Sequence, residues 1–360
     1  MTFYFTTLKT TSGKKHIPHR DQRKRRGNDQ EICIFVQYTL SALLTFLLLL
    51  STSSCSYFKM TLNNEKDKIL KKIPPLSTNS KVENADFHNL VPRFTNYHRS
   101  LADLVFDQTN GEKGLFFPDR FLEEIKNNFY TLDIDPAGKI PVVFVHGAAG
   151  TPEDWKYVIK NMNREIFSPI VYYYPTGIRL NTSTSLLYEG IKEINNKYGQ
   201  VIIIAHSMGG LVARGALSLL MLDKRTDTVP LYISLSVPYG GHADAQDGIE
   251  RLPESAIVPS WKDIASGSEF IKTLFTPTIN SSTEFYLLFG YKNPKKIRIG
   301  SNSDGSITIK SQLDFRAQME AKRLYGFDDD HETILKDEKV TSIINEILEK
   351  TAQKIDLRPK

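Results

Sequence analysis

Cysteine is almost missing from this 360-residue chain: there are two, Cys33 and Cys55, both within the first 55 residues. Everything beyond residue 55 therefore holds no internal disulfide and gains no stability from one, whatever the redox state around it. A basic body is missing too. The formal net charge is +5, but residues 1–30 hold eight basic and two acidic residues, so they carry +6 and the remainder carries −1. The body of the chain thus offers no electrostatic surface for nucleic acid. Zinc-type ligand spacing and a phosphate-cradling glycine-rich loop are both absent, and no internal repeat occurs. What remains is 40% hydrophobic and 24% charged, a globular composition long enough for one large α/β domain with extensions.

One apolar run is of membrane length. Residues 32–50, interrupted by Gln37 and a few hydroxyl residues, follow the basic cluster Lys14, Lys15, Arg20, Arg23, Lys24, Arg25 and Arg26. Basic residues ahead of such a run describe an export signal or a single membrane anchor, with the basic end cytoplasmic and the rest of the chain on the far side. Ser51-Thr-Ser-Ser-Cys55 resembles the cleavage and lipid-attachment site of bacterial lipoproteins, although Thr52 stands where those proteins carry Leu. Two attachments stay open: an anchor retained at residues 32–50, or a lipid on Cys55. Either makes residues 1–55 a leader and places the protein in the bacterial cell envelope, in the periplasm or at the outer membrane. Residues 56–110 are polar and lysine-rich and read as a tether that gains structure near its end.

From residue 111 to 355 the pattern is that of one domain. Apolar spacing predicts a short helix over residues 115–126 and an edge strand over 129–132. Buried strands then alternate with amphipathic helices: Val142-Val-Phe-Val145, Ile170-Val-Tyr-Tyr-Tyr174, a helix over 183–198, Val201-Ile-Ile-Ile204, a further helix, and Leu231-Tyr-Ile-Ser-Leu235. Strict alternation implies right-handed crossovers and a mostly parallel, doubly wound sheet with helices on both faces. The regular pattern breaks over about residues 241–291, which read as a cap or lid insertion rich in apolar residues, among them Ile249, Leu252, Trp261, Phe270, Phe275 and Phe285-Tyr-Leu-Leu-Phe289.

The most informative stretch is Val201-Ile-Ile-Ile-Ala-His-Ser-Met-Gly-Gly210. A buried strand passes straight into a helix, leaving a sharp turn about Ser207 with Ala205 and Gly209 two residues to either side. That is the nucleophile elbow, G-x-S-x-G with Ala in the first place, and the small residues let strand and helix approach closely. The helix N-terminus beside Ser207 favours negative charge.

His146-Gly147 at a strand end, the elbow, and Ser236-Val-Pro-Tyr-Gly-Gly241 after the following strand together resemble the α/β-hydrolase fold, and in particular bacterial exported lipase and esterase-like serine hydrolases. The similarity spans roughly residues 115–350. It implies a serine nucleophile, an acid and a histidine in that chain order. After Ser207 the only histidines are His242 and His331. His331 lies in the loop opening the last helix, where the fold places its base, while His242 comes too early. Asp304-Gly305 follows the short predicted strand at Ile297 and precedes a helix expected over 311–324 and a short link over 325–327, so Asp304 is the expected orienting acid. The neighbouring Asp328, Asp329 and Asp330 read as solvated. By resemblance, the amides of Met208 and Ala148 form the oxyanion hole. His146, His242 and Trp261 are candidate substrate-binding residues, although His146 and His206 are also explained by the motifs that contain them.

The resemblance implies hydrolysis of a carboxylic ester, with water as the only co-reactant, no metal and no cofactor, and the apolar residues of the cap point to a lipid or other apolar ester as substrate. A thioesterase, an amidase or a deacylase of lipid-linked glycans would use the same triad. A non-catalytic envelope binding module would keep the same shape without the chemistry.

Overall fold

Eight strands form one sheet in the order β1-β2-β4-β3-β5-β6-β7-β8, in a computed structural model that describes residues 97–134, 136–279, 282–293 and 302–355. The leader, Cys55 and most of the expected tether lie outside the described residues. Among the described residues no helix is long and apolar enough to cross a membrane. In chain order the elements are β1 (Tyr97–His98), α1 (Gln108–Phe116), α2 (Pro118–Glu124), β2 (Asn128–Thr131), β3 (Ile140–Val145), α3 (Lys156–Lys160), β4 (Phe167–Tyr173), α4 (Leu180–Tyr198), β5 (Ile202–His206), α5 (Met208–Leu222), β6 (Leu231–Leu235), α6 (Ala243–Arg251), α7 (Pro259–Ile264), α8 (Glu269–Thr273), β7 (Glu284–Gly290), α9 (Ile309–Gln312), α10 (Phe315–Glu320), β8 (Arg323–Phe327) and α11 (Glu338–Ala352). Only β2 runs against its neighbour β4; every other pairing is parallel. This is the strand order of the α/β-hydrolase fold, the fold that the resemblance implied.

The period-2 geometry of strands explains why the central ones read as unbroken apolar runs. Val143, Val145, Ile203 and Ala205 point to the face covered by α4 and α5, where they pack with Leu187, Ile191, Leu211, Val212 and Ala216. Val142, Phe144, Ile202 and Ile204 point to the opposite face, against Trp155, Val158, Ile344 and Leu348. Both faces are buried, so both sets must be apolar.

Several boundaries differ from the expectation. The single helix over 115–126 is two, because Pro118 starts α2 at its first turn and cannot continue α1. The strand near residue 129 is not the sheet's edge, since Tyr97 and His98 pair outside it with Tyr130 and Thr131. Residues 97–110 thus belong to the folded domain and not to a tether. The cap insertion ends before residue 284: Phe285-Tyr-Leu-Leu-Phe289 is the interior of β7, paired with β6 and β8. Ser311 to Leu324 is not one helix but α9 and α10, and the expected link at 325–327 is the end of edge strand β8. Most of the strand expected at Ile297 lies outside the described residues.

Candidate active site

The carboxyl ends of β3, β5, β7 and β8 bring the chemistry-bearing residues together. β5 ends at His206, and Ser207 turns the chain into α5 with φ 52° and ψ −131°. A non-glycine residue at positive φ stores strain of about 1–3 kcal/mol, held by its surroundings. Those surroundings are tight. A Cβ on Gly209 would fall 2.3 Å from the His146 carbonyl oxygen, and one on Gly210 would fall 2.1 Å from Val237 Cγ2. Absent side chains therefore let α5 start directly against β3 and the loop after β6. The Tyr232 hydroxyl, donating to the Gly210 carbonyl at 2.9 Å, ties the first turn of α5 to β6.

His331 lies between β8 and the 3-10 turn Thr333–Leu335. Its Nδ1 is 2.7 Å from Asp304 Oδ2, and its Nε2 is 2.9 Å from Ser207 Oγ. A carboxylate only accepts, so Nδ1 carries the hydrogen and Nε2 is left to accept from the serine hydroxyl. Asp304 is fully buried. Its second oxygen accepts the amides of Ser306 at 3.0 Å and Ile307 at 2.6 Å, and its carbonyl accepts the amide of His331 at 2.9 Å. Burial alone would raise the carboxyl, but the hydrogen bond and charge of His331 together with the two amides outweigh it and hold Asp304 below the ordinary carboxylate value. The group stays ionised, aimed at the imidazole. Asp328, Asp329 and Asp330 sit elsewhere: Asp330 accepts the amides of Glu332 and Thr333, shaping the loop that presents His331.

The loop after β3 runs beside Ser207. Ala148 is exposed and Met208 opens α5, and neither amide donates to an acceptor among the described residues. Gly147 lies against the nucleophile, since a Cβ there would come 3.0 Å from Ser207 Cβ. Residues the sequence did not single out brace this loop. Ala149 has φ 52°; its amide donates to Thr176 Oγ1 at 3.0 Å, and its carbonyl accepts from the Gln108 side chain at 3.0 Å. These contacts span 27 and 41 positions, so no local pattern could announce them.

The three expected substrate-binding residues have different surroundings. His146 is buried, its ring stacked on Tyr174 at 4.7 Å and edge-on to Tyr173, which makes it part of the core under the loop and not a wall of an open cleft. His242 caps α6, its Nδ1 accepting the Asp244 amide at 3.2 Å. Trp261 on α7 packs against Gly248 of α6. The apolar stretch of the cap is mostly part of the domain core: Ile264, Phe270, Ile271, Leu274 and Phe275 are buried in the same cluster as Leu211 and Val212. A bidentate ion pair from Arg179 to the buried Asp263, which also accepts the Leu180 amide, fastens α7 to the start of α4. A cavity of about 710 Å³ lined by Phe275, Ile279, Phe285 and Met319 includes none of Ser207, Asp304 and His331. No group of three or more His, Cys, Asp or Glu able to hold a metal ion occurs among the described residues.

Buried titratable groups give the fold a definite response to acid. Burial pushes His146 down to about 4 and His206 down to about 3, whereas burial pushes Asp154, at the base of the loop, up to about 6. Below pH 6.5 the unfolded chain binds two imidazole protons that the folded chain refuses, so stability falls on acidification. Asp154 opposes this between about pH 6 and 3.8, because there the folded state holds a proton that the unfolded state has lost. The balance is about one net proton, or about 1.4 kcal/mol per pH unit, between pH 6 and 4. Urea midpoints measured from pH 7 to 4 are expected to fall steadily, and a flat or rising profile would contradict these burials.

Residues 172–263, roughly a quarter of the chain, match the family model described as the PGAP1-like alpha/beta domain. That segment contains Ser207 and neither Asp304 nor His331. No curated protein sequence matches the chain. Among solved structures the chain is similar to the mature form of Bacillus licheniformis lipase BlEst2, at 20% identity and a TM-score of 0.46, covering 61% of this chain and 97% of that one. It is also similar to the product of gene lin2722 from Listeria innocua, at 16% identity and a TM-score of 0.44, covering 59% and 94%. Phospholipase PlaB from Legionella pneumophila, in complex with thio-NAD, is similar at 18% identity and a TM-score of 0.40, covering 48% and 44%.

Proposed function

We propose that the chain is a serine hydrolase that cleaves carboxylic esters, with Ser207, His331 and Asp304 as its triad. One observation carries the reading: the unbroken hydrogen-bond chain from Ser207 Oγ through the His331 ring to Asp304, joining residues 124 and 27 positions apart. A serine hydroxyl is a poor nucleophile until a base takes its proton, and the base must be held in the right tautomer by an acid. In this mechanism Ser207 attacks the ester carbonyl as His331 accepts its proton. The oxyanion takes the amides of Met208 and Ala148. His331 then protonates the leaving alcohol, and water, deprotonated by the same imidazole, frees the acid from the serine. Every group required belongs to the chain or to water.

The part-exposed apolar residues of the cap, Ile249, Leu252 and Trp261, support an apolar ester as substrate. The basic leader and apolar run ahead of the domain support action on the outer side of a membrane, with attachment through residues 32–50 or an acylated Cys55.

The test is covalent labelling of the full chain with a fluorophosphonate, with the label mapped by mass spectrometry, alongside turnover of p-nitrophenyl esters of increasing chain length. Label on Ser207 and faster turnover of longer acyl chains are expected. An unlabelled Ser207 would make the protein a binding module with a hydrolase shape, and turnover of thioesters or amides in preference to esters would move the substrate class.

A further inference from the structure

His206, the residue before the nucleophile, has one polar contact that reaches across the site. Its Nε2 lies 2.9 Å from the backbone carbonyl oxygen of His331, and the two rings are 4.7 Å apart at 45°. Residue 331 sits outside every strand and helix, so no ladder fixes its peptide. Its amide is held by the Asp304 carbonyl at 2.9 Å, while no backbone amide among the described residues donates to its own carbonyl. We propose that His206 is a positioning residue for the triad: its Nε2–H grips the His331 carbonyl and fixes the imidazole between Asp304 and Ser207.

The chemistry of the contact is specific. A carbonyl only accepts, so Nε2 of His206 must carry the hydrogen and Nδ1 must not. The ring is buried, with His206 only 6% exposed, which removes water as a substitute donor. During the reaction His331 becomes cationic, and a charged neighbour at 4.7 Å would oppose that step. Burial, followed by the nearness of His331, keeps His206 neutral. Two adjacent elbow residues thus hold one residue at two points, Ser207 by the ring and His206 by the backbone. The elbow's strained geometry makes both reaches possible at once, because β5 aims residue 206 while the turn aims residue 207.

This inference rests on the triad reading, and the experiment separates the two. The glutamine amide nitrogen reaches about as far as Nε2 of histidine, whereas the asparagine nitrogen reaches only the position of Nδ1. Ester turnover by full-length His206→Gln, His206→Asn and His206→Leu is compared with the wild type, together with thermal midpoints and the low-field proton resonance of the His331 Nδ1–H bonded to Asp304. The expectation for Asn and Leu is a fall in kcat of about 10- to 100-fold, since a misplacement of about 1 Å costs about 10²-fold, with KM within about twofold. Gln is expected to restore kcat to within about threefold and to keep the low-field resonance, which Asn and Leu lose. Should the Leu variant fail to fold, the two polar variants carry the test between them. The inference is overturned if Asn turns over substrate like the wild type with the resonance intact, or if Gln is as slow as Asn at equal thermal midpoint. Absence of fluorophosphonate label from wild-type Ser207 would instead overturn the triad reading itself.

Discussion

Replacing Ser207 with alanine is expected to lower kcat on a p-nitrophenyl ester by about 10⁶-fold, which corresponds to about 8 kcal/mol of transition-state stabilisation. The substitution removes one oxygen, and with it both the nucleophile and the acceptor of the fluorophosphonate. The fold should not notice. Ser207 is held by its backbone, its amide donating to the Leu235 carbonyl at 2.9 Å, and alanine meets the same strain at φ 52°. The thermal midpoint should therefore stay near that of the wild type while turnover vanishes. Retention of even a tenth of the wild-type rate would mean that the ester is cleaved elsewhere.

Asp304→Asn is expected to cost about 10⁴-fold in kcat, the scale set by the same replacement in the serine-protease triad. The reason is a tautomer. The carboxylate accepts from His331 Nδ1–H and leaves Nε2 free to take the serine proton. An asparagine can turn its NH₂ toward Nδ1, which pushes the ring hydrogen onto Nε2, the atom that must accept. Its carbonyl oxygen can still receive the amides of Ser306 and Ile307, so the loop should keep its shape. A rate within tenfold of the wild type would show that the acid comes from another carboxylate. The nearest sequence neighbours of His331 are poorly suited to that role, since Asp330 is occupied with the amides of Glu332 and Thr333.

The expectations that missed share a physical cause. Phe285-Tyr-Leu-Leu-Phe289 follows an irregular, apolar cap, and an apolar run is the same string whether it lines a cap core or the interior of a sheet. Only its pairing with β6 and β8 makes it β7. Arg323-Leu-Tyr-Gly-Phe327 lies at the sheet's edge with mostly exposed side chains, so no burial pattern marked it as a strand. Tyr97–His98 is two residues long and exists as β1 only because β2 is beside it. The surroundings of His146 were hidden for a related reason: which way a histidine faces is set by packing, and packing put its buried ring against Tyr174.

The sequence by itself determined the buried parallel strands and the elbow at Ser207. Each of these is a local constraint, written in unbroken apolar runs and in small residues where strand and helix nearly touch. Tertiary structure alone decided that the His331 ring stands 2.9 Å from Ser207 Oγ, that Thr176 and Gln108 brace the loop at Ala149, and that His206 reaches the His331 carbonyl. Those contacts join distant parts of the chain. Their distances depend on how the sheet twists and how its loops close over one end, and a linear string carries no term for either.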